Sequence, residues 1–171
     1  MKILSVALLV LSLPALSQDL LVSHGAPDRT VSVVSVDDYS IKYAYPGESV
    51  TRSIGRAAVA KIVYASGRIE KFSDMVNVSG RDGWENVVIT NNPNEVIGLQ
   101  RAGEIKSKAG GYWSMRSTKG SDRKATERIK REAAALGGHV VYIQQHQTKG
   151  RGFYSNPESI QSGVAYGYGK N

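Results

Sequence analysis

The sequence contains no cysteine, and this absence excludes several classes of site at once. Without a thiol, the chain has no disulfide, no thiolate nucleophile, no sulfur ligand for a metal and no N-terminal cysteine for a lipid anchor. Small exported domains often use disulfides to support a marginal core. If this chain is exported, either its core is sufficient or two small units support each other.

Long hydrophobic runs are missing as well. No apolar run approaches the roughly 18 residues that a membrane-spanning helix needs. Glycine (18 residues) and proline (5 residues) are too few for a fibrous or disordered chain. Hydrophobic residues make up 41% and charged residues 22%, which is typical of a globular protein. We therefore expect a folded chain without a transmembrane segment.

The N-terminus has the layout of a secretory signal peptide. Lys2 supplies a positive charge, an apolar stretch of 11 residues follows, and Ala15-Leu16-Ser17 places small residues at a cleavage site. We predict cleavage between Ser17 and Gln18, and a protein that is periplasmic or secreted. The alternative is a buried N-terminal helix.

The first half of the mature chain has the two-residue period of β-strands. Strand patterns lie at 31–36, 40–45, 50–54, 59–64 and 68–72, with a slip at Val33-Val34 that is typical of a bulge. The last two patterns predict a hairpin around Gly67. Residues 18–28 carry Gly25 and Pro27, which favours a loose leader or a first edge strand. We expect a small antiparallel β-domain of four or five strands at 29–78, then a linker at 79–83.

One helix dominates residues 84–171. Four apolar residues recur on one of its faces: Ala125, Ile129, Ala133 and Leu136. Ser121 or Asp122 is suited to cap its start, and Gly137-Gly138 to end it with a left-handed residue.

Strand patterns surround this helix, at 86–90, 96–105, 139–147 and 159–168. Glycine- and aromatic-bearing loops are expected at 109–120 and 148–158. The fold class is therefore predicted as α+β. A small antiparallel meander or barrel precedes an α+β domain (84–171) with one main helix on an antiparallel or mixed sheet.

Positive charge is concentrated in one segment. Residues 101–131 contain ten Lys and Arg against three acids, whereas the other 140 residues carry 12 of each sign, so the whole formal charge of +7 lies in this segment. Lys124, Arg128 and Arg131 share one helix face. The adjoining loop holds Tyr112, Trp113 and Arg116, and aromatic rings beside cations suit stacking on sugars or internal cation–π contacts.

These six residues are the candidate anion-binding site. The partner would be an anionic envelope component or an acidic protein. In the alternative, the helix face is merely solvated, Glu127 pairs internally and Trp113 packs into the domain. Nucleic acid would match the charge, but an exported protein rarely meets it, so none is expected.

No pattern indicates a metal, a cofactor or a catalytic nucleophile. His139 and His146 lie an odd number of residues apart in one strand, which places them on opposite faces, and His24 lies in a loose segment. Neither H-E-x-x-H nor G-x-S-x-G occurs, and the glycine pairs match no phosphate-binding motif. We therefore predict no catalytic residue, metal site or cofactor.

Two stretches resemble known bacterial envelope proteins. The first carries Ile41, Tyr43, Val59, Ile62, Tyr64, Gly67, Glu70 and Phe72. This pattern resembles a small β-domain of exported Gram-negative proteins.

The second stretch spans residues 97–166. It carries Gly103-Glu104-Ile105, Ala133-Ala134, Leu136-Gly137-Gly138-His139-Val140-Val141 and Gly163-Val164-Ala165-Tyr166. It is similar to the α+β domain shared by the Rcs envelope-stress lipoprotein and related short envelope proteins. That resemblance implies a fold and an envelope location and supplies no catalytic residues. Lipid anchoring and redox sensing do not transfer, because this chain has no cysteine.

The leading functional hypothesis is an exported, non-enzymatic envelope protein that binds through its basic surface. An enzyme acting on cell-wall or glycan material is the first alternative, and a cleft with paired acids, or an acid and a histidine, of shifted pKa would indicate it. A purely structural domain is the second, and an even spread of the cations would favour it.

Overall fold

The computed structural model describes residues 18–78, 83–110, 118–149 and 158–169. The predicted signal peptide (1–17), residues 79–82 of the predicted linker and the candidates Tyr112, Trp113 and Arg116 lie outside these ranges. Across the part that is described, no helix combines the length and apolar character needed to cross a membrane. Two β-sheets and one long helix make up the fold, so the predicted α+β class is confirmed.

Six antiparallel strands form the first sheet, in the order β4-β3-β2-β1-β5-β6. Their bounds are Asp19–Ser23 (β1), Arg29–Val36 (β2), Ser40–Ala44 (β3), Thr51–Gly55 (β4), Val59–Val63 (β5) and Ile69–Lys71 (β6). A 3-10 helix at Arg56–Ala58 precedes β5. Alternate residues of these strands, with Leu21, Val31, Ile41 and Ile62 fully buried, form one apolar core.

β1 is an interior strand of this sheet, not the leader or edge strand expected at residues 18–28. It pairs with β2 on one side and with β5 on the other, which brings the sheet to six strands instead of four or five. The Asp19 carboxylate also links β1 to residues beside it. It accepts hydrogen bonds from the backbone N–H groups of Val33 and Ala65, both at 2.9 Å. Leu21, at its centre, is fully buried.

The second sheet is mixed. Its strands are Val88–Thr90 (β7), Gln100–Gly110 (β8), Val140–Lys149 (β9) and Glu158–Gly167 (β10), in the order β7-β9-β10-β8. β7 runs parallel to β9, and the other pairs are antiparallel. Two 3-10 helices, Trp84–Asn86 and Pro93–Val96, flank β7.

The helix, α1, spans Thr118–Ala135 and packs on this sheet. Ala125, Ile129 and Ala133 are fully buried as predicted, but Leu136 lies just beyond the helix and is half exposed, while Ala134 is buried instead. The helix begins before Ser121 and Asp122, so neither residue caps it. Gly137 ends it at a φ of 72°, and the Gly138 N–H bonds back to the Ala133 carbonyl at 2.8 Å.

The two sheets are joined by direct contacts. The Gly55 N–H donates to the Ile97 carbonyl at 2.8 Å, and the Val76 N–H donates to the Tyr168 hydroxyl at 3.2 Å. Gly25, at a φ of 62°, approaches Gly169 so closely that an added Cβ would lie 2.3 Å from its carbonyl oxygen. The two units therefore pack against each other at this junction.

Candidate functional site

α1 carries all three of the basic residues that the sequence placed on one helix face. Arg131 pairs with Glu127 at 3.1 Å and lies 4.4 Å from the centre of the Trp84 ring. The Arg128 guanidinium donates to the backbone carbonyl of Lys108 on β8. Lys124 makes no hydrogen bond or ion pair with any described residue. Two of the three predicted side chains are therefore held by the protein itself.

Two further cations, Lys119 and Arg123, were not among the candidate residues and lie at the N-terminal end of α1, near Lys124. Lys119 and Arg123 line an open depression of about 560 Å³, together with Gly120, Asp122 and Thr126. Neither cation has an ion-pair partner within the described part of the chain. Their i,i+4 spacing was the signal that could have identified them. At this end of α1, the cations without an ion-pair partner among the described residues are thus Lys119, Arg123 and Lys124.

A polar cluster lies beside this depression, where α1 meets the sheet. Asp122 Oδ1 accepts hydrogen bonds from Ser159 Oγ at 2.6 Å and Thr148 Oγ1 at 3.0 Å, and it lies 2.7 Å from His146 Nε2. The hydrogen bond from Ser159, followed by those from His146 and Thr148, holds the pKa of Asp122 below its usual range. Thr126 and Gln161 extend the polar layer through a hydrogen bond of 3.0 Å.

The cluster has the residue types of a hydrolase triad but a different order. In a nucleophilic triad the histidine lies between serine and carboxylate, so that it removes the serine proton. Here Asp122 lies between Ser159 and His146, and Ser159 is fully buried. A carboxylate with a lowered pKa is also a weak base and is not a proton donor. The arrangement fixes the helix start onto the sheet and supplies no activated nucleophile.

The two predicted loops begin and end at this same end of the sheet. In the β-ladder, Glu158 pairs with Gly110 on one side and Lys149 on the other. α1 begins at Thr118, which follows the first loop. The residues flanking both loops therefore converge near the cations.

The three histidines lie at two separate places in the described structure. His146 contacts Asp122, whereas His24 and His139 lie at the junction of the two units, where both rings contact the Tyr168 ring. Ring centres are 4.9 Å apart for His24 and Tyr168, and 4.3 Å for His139 and Tyr168. In the described part of the chain, no group of three or more His, Asp or Glu side chains is placed to hold a metal ion.

The junction histidines predict a loss of stability in acid. Burial lowers the pKa of His24, against the raising effects of Ser73 and Asp74, and burial together with the charge of His24 lowers the pKa of His139. The folded state therefore prefers both rings neutral, and this stability is present above the ordinary pKa of 6.5 and is lost as the pH falls through the lowered values. We expect the melting temperature to drop by a few degrees between roughly pH 7.5 and pH 5.

A His24→Gln/His139→Gln double variant is the measurement that isolates this effect. It should flatten the decline in melting temperature, while His146→Gln should leave it in place because that ring lies outside the junction. An unchanged decline in the double variant would contradict the assignment to these two rings.

Comparisons with known proteins add no relative to this picture: no protein-family model, no curated protein and no solved structure matches the chain.

Proposed function

We propose that the chain is an exported, non-enzymatic module of the bacterial envelope whose basic helix end contacts an anionic envelope component. The observation that supports it most is a group of three cations at the start of α1, none of which has an ion-pair partner among the described residues: Lys119, Arg123 and Lys124. Phosphate-bearing lipids and lipopolysaccharide are the components such cations fit, and an acidic protein is the other partner of the same chemistry.

Three features support this proposal. Lys119 and Arg123 line an open depression, so a partner's anionic group is able to approach them. The backbone N–H groups at the start of a helix add partial positive charge at the same end. Asp122, which also lines the depression, directs its Oδ1 to Ser159, Thr148 and His146 on the sheet.

The enzyme alternative receives no comparable support. Asp122 and His146 come together with the carboxylate in the middle and its pKa lowered. Proton donation to a leaving group needs a raised pKa instead.

The proposal is tested by retention of the mature chain on anionic matrices over a salt series. The matrices are lipopolysaccharide, acidic liposomes, peptidoglycan and heparin. Lys119→Gln/Arg123→Gln/Lys124→Gln is compared with Lys42→Gln/Lys61→Gln/Lys71→Gln, which removes the same charge from the first sheet. A cation near an anionic surface contributes about 1 kcal/mol, so we expect the helix variant to lose about a hundredfold in affinity.

The outcomes separate the possibilities. Salt-sensitive binding that only the helix variant loses supports the proposal, and the preferred matrix names the ligand class. Equal losses in both variants indicate attraction to net charge alone. Negligible retention of the unaltered chain on every matrix would overturn the proposal and leave the acidic protein partner.

A further inference from the structure

A second concave site lies at the junction of the two units, away from α1. It is a crevice of about 300 Å³, at the lower end of the range for small-molecule sites. Its apolar walls come from both units: Phe72 and Val76 follow β6, whereas Val88, Val140 and Tyr168 belong to the second sheet and its continuation. Ligand sites occur preferentially at such boundaries between units.

The charge of the crevice is opposite to that of the chain. Asp38, Asp74 and Glu95 line it, against a single cation, Arg56. In the described structure none of the three carboxylates is in an ion pair. Arg56 forms no ion pair with any of the three, and its guanidinium lies over the Phe72 ring at 5.1 Å and donates to the backbone carbonyl of Asp38 at 3.4 Å. A chain of net charge +7 thus carries a local excess of two negative charges here.

The aromatic wall is fixed in position. The Tyr168 hydroxyl accepts the Val76 N–H, and the Tyr168 ring contacts the His24 and His139 rings, with ring centres 4.9 Å and 4.3 Å apart. Phe72 is covered by Arg56. Side chains held in this way lose little conformational freedom when a ligand binds, which favours affinity.

We propose that this crevice binds a small organic cation, an ammonium or guanidinium group carried on an aromatic or aliphatic body. The carboxylates attract the cationic group, and the apolar walls with the Tyr168 ring receive the body. A neutral or anionic molecule of the same shape contacts the apolar walls but has no cationic group for the carboxylates. The site is independent of the basic helix end and of its anionic partner.

Titration with phenethylammonium, followed by calorimetry and NMR, tests the proposal. We expect saturable binding at millimolar concentrations or below, weakened by added salt, with resonance shifts at Val88, Val140 and Tyr168. 2-Phenylethanol has the same ring without the charge, so it should bind about tenfold more weakly or not at all.

Two charge-matched variants locate the binding. Asp74→Asn/Glu95→Gln should lose about tenfold in affinity for phenethylammonium. Asp28→Asn/Glu132→Gln removes the same charge from exposed positions outside the crevice and should bind as the unaltered chain does. Equal affinity for the alcohol and the ammonium, retained affinity in the first variant, shifts confined to α1, or no saturation by about 10 mM would each overturn the proposal.

Discussion

Leu21→Ala is expected to lower the free energy of unfolding by about 2–5 kcal/mol. Leu21 is fully buried at the centre of β1 and packs in the core of the six-stranded sheet. Truncation removes apolar contacts and leaves a cavity between strands that are paired on both sides and cannot collapse freely. Urea unfolding of both proteins measures the difference, provided that the free energy of unfolding falls with urea concentration at the same slope in both.

Val34→Ala is the matched control for this substitution. Val34 also lies in the first sheet, on β2, but its side chain is 59% exposed, so its loss should change stability by no more than about 0.5 kcal/mol. If Leu21→Ala were equally mild, residues 19–23 would be a dispensable leader after all and the interior position of β1 would be refuted.

Asp122→Ala is expected to cost about 1–3 kcal/mol, because it leaves the buried hydroxyl of Ser159 without an acceptor. The lowered pKa shows that the folded protein favours the ionised carboxylate. This contribution to stability is therefore present above the ordinary aspartate pKa of 3.8 and is lost as the pH falls through the lowered value.

A double-mutant cycle with Ser159→Ala measures the coupling. Removing both partners leaves no orphaned group, so the double variant should be less destabilised than the sum of the two single variants. Glu132→Ala removes an equal charge from an exposed site on the same helix and should stay within about 0.5 kcal/mol of the unaltered chain. Additive costs in the cycle would mean that Asp122 and Ser159 do not depend on each other.

Local patterns in the sequence were enough to predict much of the secondary structure. The bulge at Val33-Val34 is present, as a register shift between Val33 and Ser35. The hairpin turns at Gly67, whose φ of 83° few other residues adopt, and Gly137, just after α1, has a φ of 72° for the same reason. In each case the deciding information lies within a few residues.

Two features could not be predicted from the local sequence, because they depend on residues far along the chain. They are the interior position of β1 and the polar cluster around Asp122. β1 is a five-residue strand whose burial comes from pairing with residues 29–31 and 59–63, so its own sequence carries little signal. Asp122 meets Ser159, 37 residues away, under the start of a helix that begins earlier than its cap residues suggested. Leu136 matched the helical period, but the helix ends one residue before it.

β8 is an edge strand of 11 residues among the described strands, and such an edge is able to pair with a strand of another molecule. Its exposed positions carry charge, at Arg101, Glu104, Lys106 and Lys108, and the Arg128 guanidinium occupies the outward carbonyl of Lys108. Charged side chains on an edge oppose intermolecular sheet extension. Part of the chain's positive charge thus opposes aggregation through β8.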